Sequence, residues 1–243
     1  MSVVTTNDKQ QTTNFKPQTS NFKPQSRELL PIFVIEDDHN FPPVHLAEPD
    51  GLLAIGGDLS PDRLISAYKK GIFPWYEGEY ILWWCPDPRF VLFPGELKIS
   101  HSMKQLLRQD NFQFTIDKAF NKVIHQCRMM KRKEQHGTWI TDAVEKAFNK
   151  MHLLGHAHSA ETWNGDQLVG GLYGIRMGKV FFGESMFSTV SNASKFAFIN
   201  YVQQLKNEGV ELIDCQVHTP HLESLGARMI PREEFVHLLN SLI

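Results

Sequence analysis

The chain has 243 residues, 42% of them apolar, with 25 Lys and Arg against 27 Asp and Glu, for a formal net charge of −2. That length suits one large domain or two small ones with a real core. The near-neutral balance excludes a global basic footprint, so a nucleic-acid partner has to be held by local patches. No apolar run approaches the roughly 18–20 residues that span a bilayer. The polar N-terminus does not read as a signal peptide, and no membrane partner is expected. Three widely spaced cysteines, Cys85, Cys127 and Cys215, predict neither a disulfide framework nor a Cys-based zinc site. They fit a reducing compartment, so a cytoplasmic location is expected.

In chain order, residues 1–27 are rich in Asn, Gln, Thr and Lys and carry NFKPQ twice, at Asn14–Gln18 and Asn21–Gln25. Such composition cannot bury a core, and a disordered tail is expected. Folded sequence begins near Leu29. Ser60 reads as a helix N-cap with Pro61 at the first helical position. Leu64, Ile65 and Tyr68 share a face, and Gly71 ends the helix. GIFPW (Gly71–Trp75) and ILWWCPDPR (Ile81–Arg89) are dense in aromatics and prolines, and read as an irregular wall.

The pattern changes from about Phe90. A short helix is expected over His101–Gln109, then a strand over Phe112–Ile116, with Asp117 capping a helix that runs towards Cys127. Val144, Phe148 and Met151 keep i, i+4, i+7 spacing in the next helix, which Gly155 stops. A β-meander follows, with strands at Ala157–Trp163, Gln167–Ile175 and Lys179–Glu184. A helix over Ala193–Lys206 buries Phe196, Ile199, Val202 and Leu205 and ends at Gly209. ELIDCQV (Glu211–Val217) is the next strand, and a last helix follows Pro231. The order β-α-α-β-β-β-α-β-α is that of an α+β domain with a mostly antiparallel sheet.

Several constellations carry chemistry. In a strand, residues i and i+2 face the same way, so Leu212, Asp214 and Gln216 share one face of ELIDCQV. Polar groups inside an apolar strand cost free energy unless hydrogen-bonded. They are either a pair that orients an attacking amine or reacting carbonyl, or a structural hydrogen bond at the strand end. In FFGESMFS (Phe181–Ser188), continued alternation puts Phe182, Glu184, Met186 and Ser188 on one face. That fits an apolar pocket with one acid, or a strand end with Glu184 turned to solvent. Trp75, Trp83, Trp84 and Trp139 lie in or beside loops, where they stack on a base or anchor a domain interface. Candidate phosphate contacts are Arg128, Lys131, Arg132 and Lys133, then Lys69 and Lys70; the alternative is a solvated face. His152, His156 and His158 cluster, as do His218 and His221, but no acid motif supports a metal, and none is expected. GGLYG (Gly170–Gly174) sits inside a strand, which disfavours a phosphate cradle.

GLLAIGGDLSPDRL, KKGIFPW, ILWWCPDPR, GTWIT, LGHAHSAETW, LVGGLYG, GESMFS, NASK, LIDCQV and SLGARMIPR follow one another along the chain. Together they resemble the leucyl/phenylalanyl-tRNA–protein transferase family, from about Leu29 to the C-terminal end. The resemblance implies a small N-terminal domain, 28–89, packed on a GNAT-like catalytic domain, 90–243. It implies transfer of Leu or Phe, and Met less well, from aminoacyl-tRNA to proteins beginning with Arg or Lys, which marks them for N-degron proteolysis. It implies a monomer and no cofactor. By motif, Asp214, Gln216 and Glu184 match the catalytic set, while Trp75 and Trp139 match the tryptophans that flank the donor's terminal adenosine. Leu172, Phe182, Met186, Phe198 and Tyr201 match the pocket for its apolar side chain. Leu172 stands where relatives often carry Met. The Q/R-x-x-G-x-G/A loop by which GNAT enzymes hold coenzyme A is absent after Phe181–Ser188, which disfavours a coenzyme A acyltransferase. A non-enzymatic tRNA- or peptide-binding module is the other rival.

The implied donor is an activated ester, and an α-amine of pKa about 7.7–8.0 needs little base strength. Positioning and oxyanion stabilisation can then do most of the work. Asp214 is expected to accept a hydrogen bond from the attacking amine, and Gln216 to fix that carboxylate and the reacting carbonyl.

Overall fold

The computed structural model describes residues 32–36, 39–130 and 138–243. The expected tail, residues 1–27, lies outside them, as do Lys131, Arg132 and Lys133. The chain runs through β1 (Phe33–Ile35), β2 (Leu52–Gly56), α1 (Pro61–Lys69), β3 (Phe73–Pro74), β4 (Leu82–Trp84) and β5 (Arg89–Leu92). It continues through α2 (His101–Leu106), β6 (Gln113–Ile116), α3 (Phe120–Met129), α4 (Asp142–Leu153), β7 (Ala157–Asn164) and β8 (Gln167–Met177). It ends with β9 (Val180–Ser188), α5 (Ala193–Asn207), β10 (Leu212–Gln216), α6 (Pro220–Ser224), β11 (Arg228–Ile230) and α7 (Arg232–Leu242).

Two sheets form. The smaller has the order β1-β2-β4-β3 and the larger β11-β5-β10-β9-β8-β7-β6. Strands pair antiparallel throughout except for β1 with β2 and β9 with β10. The expected α+β architecture with a mostly antiparallel sheet is what the chain adopts. The aromatic, proline-rich stretch expected to be irregular is instead β3 and β4, both short. Trp83 anchors β4: its ring meets Phe41 edge-on with centroids 4.9 Å apart, and its Nε1 donates to the Gly56 carbonyl at 2.9 Å. Strands β5 and β11 and the short helix α6 were not anticipated. All four residues of β5 are buried, so no polar–apolar alternation marks it.

The elements form for local reasons. In α1 the buried Leu64, Ala67 and Tyr68 fall on one stripe. Gly71 then takes φ +73°, and a Cβ there would come within 2.6 Å of the Phe235 ring. The Thr141 hydroxyl accepts from the Val144 amide at 3.3 Å and caps α4. Asp117 does not cap α3. It adopts φ +57° and accepts from the Ser159 amide at 2.7 Å. The amide of Ala119, the residue that precedes α3, goes to the buried Glu161 carboxylate at 3.3 Å instead. Asp117 thus ties β6 to β7 rather than starting a helix.

The large sheet is covered on both faces. One apolar cluster contains Phe90, Leu172, Phe181, Met186, Ile213 and the α5 residues Phe198, Tyr201 and Val202. The other contains Val91, Tyr173, Phe182, Phe187 and Leu212, with residues from α1, α3, α4, α7 and the small sheet. This second cluster is shared by both sheets, and the candidate site lies on its face of the large sheet.

Candidate active site

The site begins with an irregularity in β9. Across the β8–β9 pairing, Tyr173 opposes Ser185 and Gly174 opposes Gly183, so Glu184 is an extra residue, a β-bulge. A bulge reverses the alternation beyond it. Phe181 and Met186 therefore share the α5 face, while Phe182 and Phe187 point to the other cluster. Unbroken alternation would have put Phe182, Glu184 and Met186 on one face, and the bulge overturns that expectation. Gly174 makes room for it: a Cβ there would lie 2.1 Å from the Phe182 carbonyl and 2.5 Å from the Phe181 ring. Gly170 similarly admits the start of α5, with Ala193 and Ser194 2.7–2.9 Å from where its Cβ would be. The glycines of GGLYG serve close approach.

Beside β9, β10 pairs only at Leu212–Asp214, opposite Val180–Phe182. The two strands part beyond that point. Pairing with β5 is irregular between Asp214 and Gln216, and Gln216 takes φ +64°. A left-handed conformation is unusual for a residue with a long side chain and costs free energy that its partners must offset. The Gln216 amide donates to Asp214 Oδ1 at 2.9 Å, and its side-chain Nε2 donates to Glu184 Oε1 at 2.9 Å. Gln216 thereby bridges the two carboxylates, one through the backbone and one through the side chain.

Asp214 is fully buried and held at two points by Arg89, whose Nε reaches Oδ1 at 2.8 Å and Nη2 reaches Oδ2 at 2.7 Å. Arg89 is itself buried between the rings of Phe73 and Phe235, 4.7 and 4.6 Å from its Cζ. Burial works against the guanidinium charge, but the Asp214 carboxylate outweighs it and holds the Arg89 pKa above its ordinary value. Arg89 was not anticipated. It closes the PDPR motif, and its partner is 125 residues away, a distance no local spacing reports.

Glu184 is 2% exposed. Its Oε1 accepts from the Tyr68 hydroxyl of α1 at 2.7 Å and from Gln216. Its Oε2 is buried with no hydrogen-bond partner among the described residues. Burial pushes its pKa up to about 7, against the opposing hydrogen bond from Tyr68. Burial, then Glu184, drive the Tyr68 hydroxyl well above its usual range. A continuous chain of polar contacts therefore runs Arg89–Asp214–Gln216–Glu184–Tyr68, linking β5, β10, β9 and α1.

The tryptophan segments adjoin. Tyr76 and Thr141 hydroxyls lie 3.4 Å apart, bringing GIFPW beside the end of GTWIT. Trp75 is 37% exposed and Trp139 only 4%. The Trp84 indole fixes the Trp75 carbonyl at 2.6 Å. Leu172, Met186, Phe198 and Tyr201 gather in one cluster under α5, each no more than 4% exposed. Phe182 is not with them: its ring meets Tyr68 on the opposite face, at 5.2 Å. Phe181 takes its place, edge-on to Tyr201 at 5.1 Å.

Of the cationic candidates, Arg128 is already paired with Asp142 and with Glu145, the latter at 2.9 Å. Lys69 and Lys70 are exposed at the end of α1. His152 and His158 flank Asp117, with His158 Nδ1 2.7 Å from its carboxylate. Among the described residues no group of three or more His, Cys, Asp or Glu side chains is arranged to hold a metal. No helix among them is long and apolar enough to cross a membrane.

A family model described as leucyl/phenylalanyl-tRNA protein transferase matches residues 91–240, and that family's N-terminal domain model matches residues 57–87. A leucyl/phenylalanyl-tRNA–protein transferase from Nitrosospira multiformis is 55% identical over 212 residues, covering 86% of this chain and 91% of the relative. One from Christiangramia forsetii is 57% identical over 211 residues, covering 86% of this chain and all of the relative. Among solved structures, a GCN5-related N-acetyltransferase from Kribbella flavida aligns with a TM-score of 0.36 at 10% identity, covering 71% of this chain and 61% of that one.

Proposed function

The chain belongs to the leucyl/phenylalanyl-tRNA–protein transferase family, and from that premise we propose that its acceptors are proteins whose first residue is Arg or Lys. The donor is leucyl- or phenylalanyl-tRNA, with methionyl-tRNA used less well, and no cofactor takes part. The product is a protein with a new apolar N-terminal residue, marked for N-degron proteolysis in the cytoplasm. The enzyme acts as a monomer.

The observation that carries this reading is the buried junction where LIDCQ meets GESMFS through Gln216 and Glu184. It holds two carboxylates against one guanidinium. That imbalance favours an acceptor that arrives as a cation, at its α-amine and at its side chain. In this reading Asp214, Gln216 and Glu184 form the catalytic set. The small N-terminal domain, 28–89, brings Tyr68 and Trp75 to it, and the catalytic domain, 90–243, supplies the rest apart from Arg89. Trp75 and Trp139 flank the terminal adenosine. Leu172, Phe181, Met186, Phe198 and Tyr201, on the α5 face, receive the donor's side chain through the gap where β9 and β10 part, and they must separate to admit it. The exposed Lys69 and Lys70, with Arg128 and the 131–133 run, meet tRNA phosphates without reading bases.

The test uses labelled Leu-tRNA and three peptides that differ only in a first residue of Arg, Lys or Met. Label passing to the Arg and Lys peptides and not to the Met peptide is the expected result. Equal labelling of all three would overturn the acceptor assignment. Retention of tRNA with no transfer would make the chain a binding module.

A further inference from the structure

Asp214 and Glu184 sit on the same face of the large sheet, yet their oxygens differ in what they have left to do. Asp214 Oδ1 accepts from Arg89 Nε and from the Gln216 amide, and Oδ2 accepts from Arg89 Nη2. This carboxylate is committed to a two-point pair with a buried guanidinium. Among the described residues Glu184 has two donors on Oε1 and none on Oε2, although Oε2 is buried. A buried polar atom without a partner in a native fold calls for an explanation, and an absent ligand is one. Glu184 is also the extra residue of the bulge, placed next to where β9 and β10 part.

We propose that Glu184 takes the proton from the attacking amine, and that Asp214 and Arg89 are positioning residues that aim it through Gln216. This assignment rests on the aminoacyl-transfer reading above. In the reaction, the bond from the acceptor's α-nitrogen to the ester carbonyl carbon forms, and the bond from that carbon to the ribose oxygen breaks. The proton leaves nitrogen for Glu184 Oε2 and is then delivered to the ribose oxygen, so Glu184 ends as it began. Gln216 has no proton to exchange; its left-handed backbone turns its amide onto Glu184 Oε1, which leaves Oε2 to face the amine.

Among the described residues, the charged and titratable groups around Glu184 are Tyr68 of α1, Asp214 of β10 and Arg89 of β5, with Tyr173 of β8 beside Tyr68. The Tyr68 hydroxyl stays neutral at working pH, and Arg89 stays charged. The burial that raises Glu184 to about 7 matches it to an amine of comparable pKa, where general-base transfer is most efficient.

The experiment is single-turnover transfer from Leu-tRNA to an Arg peptide, at saturating acceptor, between pH 5 and 9, with the full chain. Two deprotonations are required below neutrality, of the acceptor's ammonium and of Glu184. The logarithm of the wild-type rate should therefore rise with a slope approaching two. Glu184→Gln should lower the rate about 100-fold or more and reduce the slope to one. Glu184→Asp should keep a slope of two at a lower rate, which separates chemistry from misfolding. Asp214→Asn should also lower the rate, through misplacement, but keep the slope of two. A slope of two in Glu184→Gln overturns the assignment. So does a slope of one in Asp214→Asn, which would make Asp214 the proton acceptor. A Glu184→Gln enzyme with an intact rate and a raised acceptor KM also overturns it, and leaves Glu184 as a binding group only. A wild-type chain that transfers nothing overturns the transferase reading and this assignment together.

Discussion

At the scale of single residues, the site is a set of buried charges whose costs are unequal. Glu184 titrates near 7 when folded, against an ordinary 4.5. Between those values the folded chain binds more protons than the unfolded one, so this group's contribution to stability falls as pH rises from about 4.5 through 7. The difference of about 2.5 in pKa, at ~1.36 kcal/mol each, makes the loss about 3 kcal/mol. Glu184→Gln removes this titration. In urea melts, the stability gap between variant and wild type should shift towards the variant by about that amount from pH 4 to pH 8. A gap independent of pH would show that Glu184 titrates normally. Arg89 makes the complementary case. Arg89→Ala leaves Asp214 buried without its counter-charge and should cost about 3–5 kcal/mol at pH 7. Replacing both, as Arg89→Met with Asp214→Leu, should recover much of that stability without recovering transfer. Asp214 and Gln216 were legible because polar residues stand out in an apolar strand. Arg89 was not, because a cation beside prolines looks like surface until the fold brings β5 against β10.

At the scale of elements, legibility followed periodicity. Helices α4 and α5 and the β7–β9 meander announce themselves by spacing and by the glycines that stop them. Strands β5 and β9 are buried along their whole length, so nothing polar marks which face each residue takes; β5 goes unread, and a bulge inside β9 leaves no mark in the pattern. That is why Phe182 was expected on one face with Met186, whereas it is Phe181 that shares the α5 cluster with Met186. The bulge does leave one trace, the glycine across from it. Gly174→Ala would drive a methyl into the Phe182 carbonyl and the Phe181 ring, and neither backbone can yield without moving Glu184. The expected cost is about 3 kcal/mol. The loss of transfer should exceed what unfolding explains, because the bulge aims the acid. Gly78→Ala is the control: nothing lies within 4 Å of that position, and stability should stay within about 0.5 kcal/mol of wild type. If the two variants behave alike, the bulge does not depend on Gly174.

At the scale of the whole molecule, the two sheets are not separable bodies. The polar chain from Arg89 to Tyr68 begins on β5, crosses the large sheet and ends on α1, which packs with the small one. Phe73 of β3 and Phe235 of α7 sandwich the guanidinium from opposite ends of the sequence. The apolar cluster around them draws on Ile35 and Leu53 as well as Phe182 and Leu239. The apolar cluster is continuous across residue 89, and Arg89 itself stands at that point of the chain. Independent domains would unfold in separate steps, each with its own enthalpy. Here the shared core predicts a single cooperative transition, with calorimetric and van't Hoff enthalpies equal and with near-UV signals from Trp75 and Trp139 lost together with the sheet. It predicts further that Tyr68→Phe, in the small sheet's layer, lowers the rate of transfer without splitting that transition. The hydroxyl orients Glu184 while the ring remains to pack on Phe182. Two resolved thermal transitions would mean that the small domain docks on a unit already complete, and the positioning of Glu184 by Tyr68 of α1 would then fall with the shared core.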